Sequence, residues 1–238
     1  MSDIVILDIN ELKKTRRRRS FCRKKSLLTV FACSTLLLTA CGQTATETIY
    51  DHLEEAAEIE NEGFNEQQQP LIDAEEKEAE LYQQIVELDM DSFDEIVSLS
   101  DEALASVEER RELIASEKES IEDGYSEFEK AVSNFEELEE EELTNRANEM
   151  QEAMDNRYES YQALYTVYER SLDLDQQLYD MLKDEELDVD TLTAHIEETN
   201  GVYQERDEAT NQFNEYTDAY NDAKEAFYEA SDLEVRFE

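Results

Sequence analysis

The chain has 238 residues, of which 21 are Lys or Arg and 64 Asp or Glu, and its formal net charge of −43 repels nucleic acid and anionic headgroups. One Pro, four Gly and no Trp leave too little turn chemistry for sheets or α/β units, so the expected fold class is all-α. Charge is unevenly divided: residues 1–41 hold nine basic and three acidic residues, which leaves 12 basic and 61 acidic residues and a net charge of −49 after Cys41.

Residues 1–22 form an unusual prelude, in which Ile4-Val5-Ile6-Leu7 and three acids come before the first basic cluster. Leu12-Lys13-Lys14 would make a conventional opening if translation began there. Arg23-Lys24-Lys25 is then followed by 15 weakly polar to apolar residues (26–40) and by Cys41, the order of a secretory signal that ends in a cysteine. The run falls short of the roughly 20 apolar residues of a membrane span, so its removal is expected. Leu38-Thr39-Ala40-Cys41 closely resembles the bacterial lipobox. That resemblance makes Leu38, Thr39 and Ala40 the signal-peptidase recognition residues, and Cys41 the site of diacylglyceryl attachment and the mature N-terminus. Two acyl chains on one residue meet the two-signal requirement for stable anchoring. Cys22 and Cys33 leave with the signal, so no disulfide is expected despite the oxidising destination. The division that follows is a signal peptide with an atypical extension over 1–40, a lipidated Cys and polar tether over 41–48, and a single helical domain over 49–238.

Within that domain a short helix is expected near 49–61 on Ile49, Leu53, Ala56 and Ile59, with Gly63 and Pro70 bracketing a break. A second is expected over about 70–88. Ser92-Phe93-Asp94-Glu95 has the pattern of a capping box and marks the start of a long helix. Positions 93, 100, 107, 114, 121, 128 and 135 of that helix read Phe, Ser, Val, Ile, Ile, Phe, Phe, a coiled-coil seam broken by one polar member. The companion row 97, 104, 111, 118, 125 and 132 includes Arg111 and Lys118, so looser packing is expected at mid-helix. The acidic run around 136–144 is expected to turn. Another helix, about 144–184, repeats by sevens through Ala147, Met154, Tyr161, Tyr168, Asp175 and Leu182, beside Tyr158, Tyr165, Leu172 and Tyr179. After a turn at 184–188 with Asp188 as N-cap, a last helix covers about 189–230, with Asn200-Gly201 as a candidate kink. Three long helices and two shorter N-terminal ones make an elongated antiparallel bundle with coiled-coil packing.

The lipobox, Ile49-Tyr50-Asp51-His52-Leu53-Glu54, Glu66-Gln67-Gln68-Gln69-Pro70-Leu71, Ser98-Leu99-Ser100-Asp101-Glu102-Ala103, Glu117-Lys118-Glu119-Ser120-Ile121-Glu122 and Phe213-Asn214-Glu215-Tyr216-Thr217 together resemble the YkyA group of cell-wall-binding lipoproteins from Gram-positive spore formers. The resemblance spans nearly all of 24–230. It implies an outer-leaflet lipoprotein in contact with the wall, on the extracytoplasmic face of the cell membrane. This chain departs from the group in its N-terminal prelude and in its acidity, which argues against electrostatic binding of anionic wall polymers.

No nucleophile, Walker, Rossmann or HExxH pattern follows Cys41, so no catalytic residue, no cofactor and no metal site is assigned. His52 and His195 stand far apart and read as helix-surface residues. The tyrosine row 158, 161, 165, 168 and 179 could stack on sugar rings, but its spacing of three and four places the rings on a buried seam with hydroxyls at the rim. Acid runs at 136–142 and 184–188 lack the glycine-bent loop of a calcium site and read as solvated. The expected function is a lipid-anchored interaction module whose partners are the membrane, through Cys41, and peptidoglycan or an envelope protein. The alternative is an accessory regulator of a cell-wall enzyme.

Overall fold

The computed structural model describes residues 44–231 and residue 233, which fall within one compact unit, Gln43–Glu238. Four long α-helices account for nearly all of them: α1 (Ala45–Glu87), α2 (Phe93–Val132), α3 (Glu141–Leu182) and α4 (Val189–Ala230). At 1.5 Å per residue each is about 60 Å long. Side-chain pairs fix the order up-down-up-down. Along α1 and α2, Ala74 meets Ser106 and His52 meets Glu127; along α2 and α3, Asp101 meets Lys183 and Tyr125 meets Asp155; along α3 and α4, Arg170 meets Glu205 and Arg157 meets Thr217. The bundle closes where Tyr228 of α4 reaches Glu54 of α1.

The two expected N-terminal helices are one. Pro70 lies inside α1 on an exposed face, where the carbonyl it cannot bond faces water, while Leu71 and Ala74 just beyond it are buried and hold the helix on course. Gly63 is a point of close approach, since a Cβ there would sit 1.8 Å from Ser120 Oγ. One turn away, a Cβ on Gly124 would sit 2.4 Å from Glu60 Cγ, so α1 and α2 cross where both have shed their side chains. The stretch 42–48, expected as a tether, is helical from Ala45. A capping box starts it: Thr44 Oγ1 accepts from Glu47 N at 3.2 Å, and Glu47 Oε2 accepts from Thr44 N at 2.8 Å.

Ser92 makes no such box. Residues Met90–Ser92 form a 3₁₀ turn capped by Asp89, whose Oδ1 accepts from Asp91 N, and this leaves Ser92 at ψ 25° with no side-chain hydrogen bond to the helix N–H groups. The expected turn lies at 133–140 and includes the 3₁₀ turn Phe135–Glu137. Glu141 and Glu142 belong to the first turn of α3, where carboxylates suit the positive end of the helix dipole. Asp188 caps α4 by accepting from Thr191 N at 3.1 Å, and α4 runs unbroken through Asn200-Gly201.

Two apolar cores result. One gathers Ile49, Leu53, Phe128, Phe135, Met150, Met154 and Phe227 near the start of α1; the other gathers Leu81, Ile85, Ile96, Val107, Ile114 and Leu172 toward the opposite end. The sevenfold row is buried at 100, 107, 114, 121 and 128 of α2 and at 135 in the turn beyond it. Its buried companions are Ile96, Ala103, Arg110, Gly124 and Ala131, one residue earlier than the row read from the sequence, whose members are only half-buried.

Candidate functional site

The most unusual chemistry lies inside the bundle. Arg110 of α2, 3% exposed, extends Nη1 to Glu78 Oε2 of α1 at 2.5 Å and to Asp175 Oδ2 of α3 at 3.1 Å, and both carboxylates are buried. Tyrosines surround this triad: Tyr179 donates to Glu78, Tyr203 of α4 donates to Asp175, and Tyr168 accepts from Arg110 while donating to Glu75 Oε1 at 2.7 Å. Arg206 of α4 lies over the rings of Tyr168 and Tyr203, 5.1 and 4.8 Å from their centroids, and 3.8 Å from Glu75. All four helices therefore contribute charge or hydroxyl to one layer. Burial pushes the Glu78 carboxyl up to about 7 against the opposing pull of Arg110, with the Asp175 carboxylate adding to the rise.

A second polar layer ties three helices. Arg157 of α3 grips Glu60 of α1 with both terminal nitrogens, at 2.9 and 2.7 Å, and its Nε reaches Thr217 of α4 at 3.3 Å. The guanidinium also lies 5.2 Å from the Phe213 centroid. A bidentate, mostly buried pair of this kind specifies which residues face each other more than it adds net stability.

Of the tyrosine row, Tyr161 and Tyr179 are fully buried, whereas Tyr158, Tyr165 and Tyr168 are half-buried. Hydroxyls that were expected at the rim meet carboxylates of neighbouring helices: Tyr161 donates to Glu117 at 3.2 Å and Tyr168 to Glu75 at 2.7 Å. Neither histidine is a free surface residue. His52 Nδ1 lies 2.6 Å from Glu127, which also pairs with Lys130, and His195 Nε2 lies 2.9 Å from the Leu174 carbonyl. Lys130, with His52 behind it, holds the Glu127 carboxyl below its ordinary range against the opposing effect of burial. Among the described residues no group of three His, Cys, Asp or Glu side chains could hold a metal ion, and no helix is long and apolar enough to cross a membrane. Leu38, Thr39, Ala40 and Cys41 lie outside the described residues.

Reading the sequence missed the triad. Asp175 was visible as a break in a sevenfold row, but nothing marked Arg110 as its partner, because a charge at a buried position cannot be told by spacing from one on a solvated face.

An all-helical antiparallel bundle with two internal polar layers, lacking any metal-holding cluster among its described residues, is the class of protein these observations define. Residues 44–230 match the YkyA family, described as "putative cell-wall binding lipoprotein", and the chain belongs to that family. It is 36% identical over 207 residues to the "uncharacterized lipoprotein YkyA" of Bacillus subtilis (strain 168), which covers 87% of this chain and 92% of the relative. The fold is also similar to a crystal structure of a conserved protein of unknown function from Staphylococcus aureus, with a TM-score of 0.54 at 10% identity, covering 79% of this chain and 97% of that one.

Proposed function

We propose that this chain is a lipid-anchored helical module on the outer face of the cell membrane that binds cell-wall material. The observation that carries the reading is the capping box at Thr44, three residues after the lipobox cysteine. A tether of Gly42 and Gln43 spans no more than about 10 Å, so diacylglyceryl-Cys41 would fasten the start of α1 close to the lipid surface. The turns at 88–92 and 183–188 would then stand some 60 Å farther out. Burial of the charged triad favours a binding role over a catalytic one, since Arg110, Glu78 and Asp175 spend their hydrogen bonds on each other and on tyrosines.

Two measurements test this. Cys41→Ser should abolish acylation and shift the protein from the detergent phase to the aqueous phase; a variant that still carries acyl chains by mass spectrometry sinks the anchor assignment. The full lipoprotein, purified in detergent, should sediment with purified peptidoglycan. Sedimentation only when a second envelope protein is added would replace this reading with that of an accessory subunit.

A further inference from the structure

We propose that a groove between α2 and α3, lined by Tyr125, is a binding site for a neutral N-acetylated oligosaccharide of the kind found in wall glycan. The proposal rests on the wall-binding reading and assigns it a place. The groove has a volume of about 500 Å³, within the range of small-molecule sites. Its wall includes Tyr125, Ser126, Glu129, Ser133, Gln151 and Asp155. The Tyr125 ring is fixed twice over: it stacks on Tyr158 with centroids 4.0 Å apart and planes 13° from parallel, and its hydroxyl donates to Asp155. A ring held in this way needs no ordering when a ligand arrives, so little binding energy is lost to its immobilisation.

The polar groups around it select the ligand. Ser126, Glu129 and Gln151 side chains make no hydrogen bond to another described residue, so a purely apolar occupant would desolvate them without return. A sugar ring has one apolar C–H face, which suits the part of the half-buried Tyr125 ring that Tyr158 leaves uncovered, and a girdle of hydroxyl and acetamido groups, which suits a carboxylate and an amide. Charge excludes the other large class of wall polymer. Glu129, Lys130 and Asp155 line the groove, and the one cation among them, Lys130, is already paired with Glu127, so a polyanion meets two carboxylates and no unpaired ammonium there.

The test uses the full lipoprotein in detergent, with tetra-N-acetylchitotetraose as the soluble probe in isothermal titration and purified peptidoglycan in parallel sedimentation. Tyr125→Ala and Gln151→Ala are each expected to weaken probe binding about tenfold, while Val189→Ser, at the opposite end of the bundle, leaves it unchanged. Gln151 is only half-buried, so its variant keeps the test valid if Tyr125→Ala melts early. Saturable probe binding that weakens about tenfold in both variants upholds the groove. Wild-type sedimentation with peptidoglycan, without probe binding or with both variants binding like wild type, overturns the groove and leaves the wall reading standing. Probe binding at the groove without sedimentation upholds the groove and overturns the wall reading, and failure of both measurements overturns both.

Discussion

Glu78 shows how a single buried carboxyl couples this fold to pH. It shares one guanidinium with Asp175, and burial raises it from an ordinary 4.5 to about 7. Between those values the unfolded chain has released the proton and the folded chain still holds it, so folding takes up a proton there. The stability Glu78 contributes is therefore fully present below pH 4.5 and is lost as pH rises through about 7. Glu78→Gln, which resembles the protonated form and cannot lose a proton, should gain on wild type as pH increases. Its melting temperature relative to wild type is expected to be higher at pH 8 than at pH 5; a difference that stays constant or reverses would show that Glu78 does not titrate in this window.

At the scale of the helices, what the sequence made legible follows from apolar spacing. The sevenfold row from Val107 through Ile114, Ile121 and Phe128 is repeated in the structure as a buried stripe, because only a helix packed along its length hides every seventh residue. Breakers were harder to read. Gly63 reads in the sequence as an interruption of the first helix, because no one-dimensional pattern distinguishes a glycine that ends a helix from one that lets another helix come close. Ser120, the residue that decides the matter, lies 57 residues downstream. The companion row failed for a related reason: Arg110, Ala103 and Gly124 are buried without being large and apolar. Two alanine substitutions separate the two kinds of glycine. Gly63→Ala places a methyl group against Ser120 and should destabilise the fold by about 1–3 kcal/mol, with relief when Ser120 becomes Gly. Gly201→Ala meets nothing within 4 Å on α4 and should stabilise it by up to about 1 kcal/mol. Chemical denaturation followed by circular dichroism measures both, and equal effects of the same sign would mean that α1 and α2 do not approach as described.

Across the whole molecule, 61 acidic and 12 basic residues follow Cys41, and most of the acids cover the outside of four parallel-sided helices. Their mutual repulsion opposes the compact state and is screened over about 30 Å at 0.01 M salt but over about 3 Å at 1 M. The melting temperature is therefore expected to rise from low to molar NaCl at constant pH, and a flat or falling curve would show that the internal ion pairs, which salt weakens, outweigh the surface. The four helices also have nearly one length, 43, 40, 42 and 42 residues. Antiparallel neighbours can keep their facing residues in step only if every helix gains or loses the same number of turns. The span from one end of the bundle to the other is thus quantised: taking one heptad from all four helices shortens it by about 10 Å and leaves the turns and their caps intact, whereas taking it from one helix alone throws the facing rows out of register. Stature in this architecture changes by whole layers, four helices at a time.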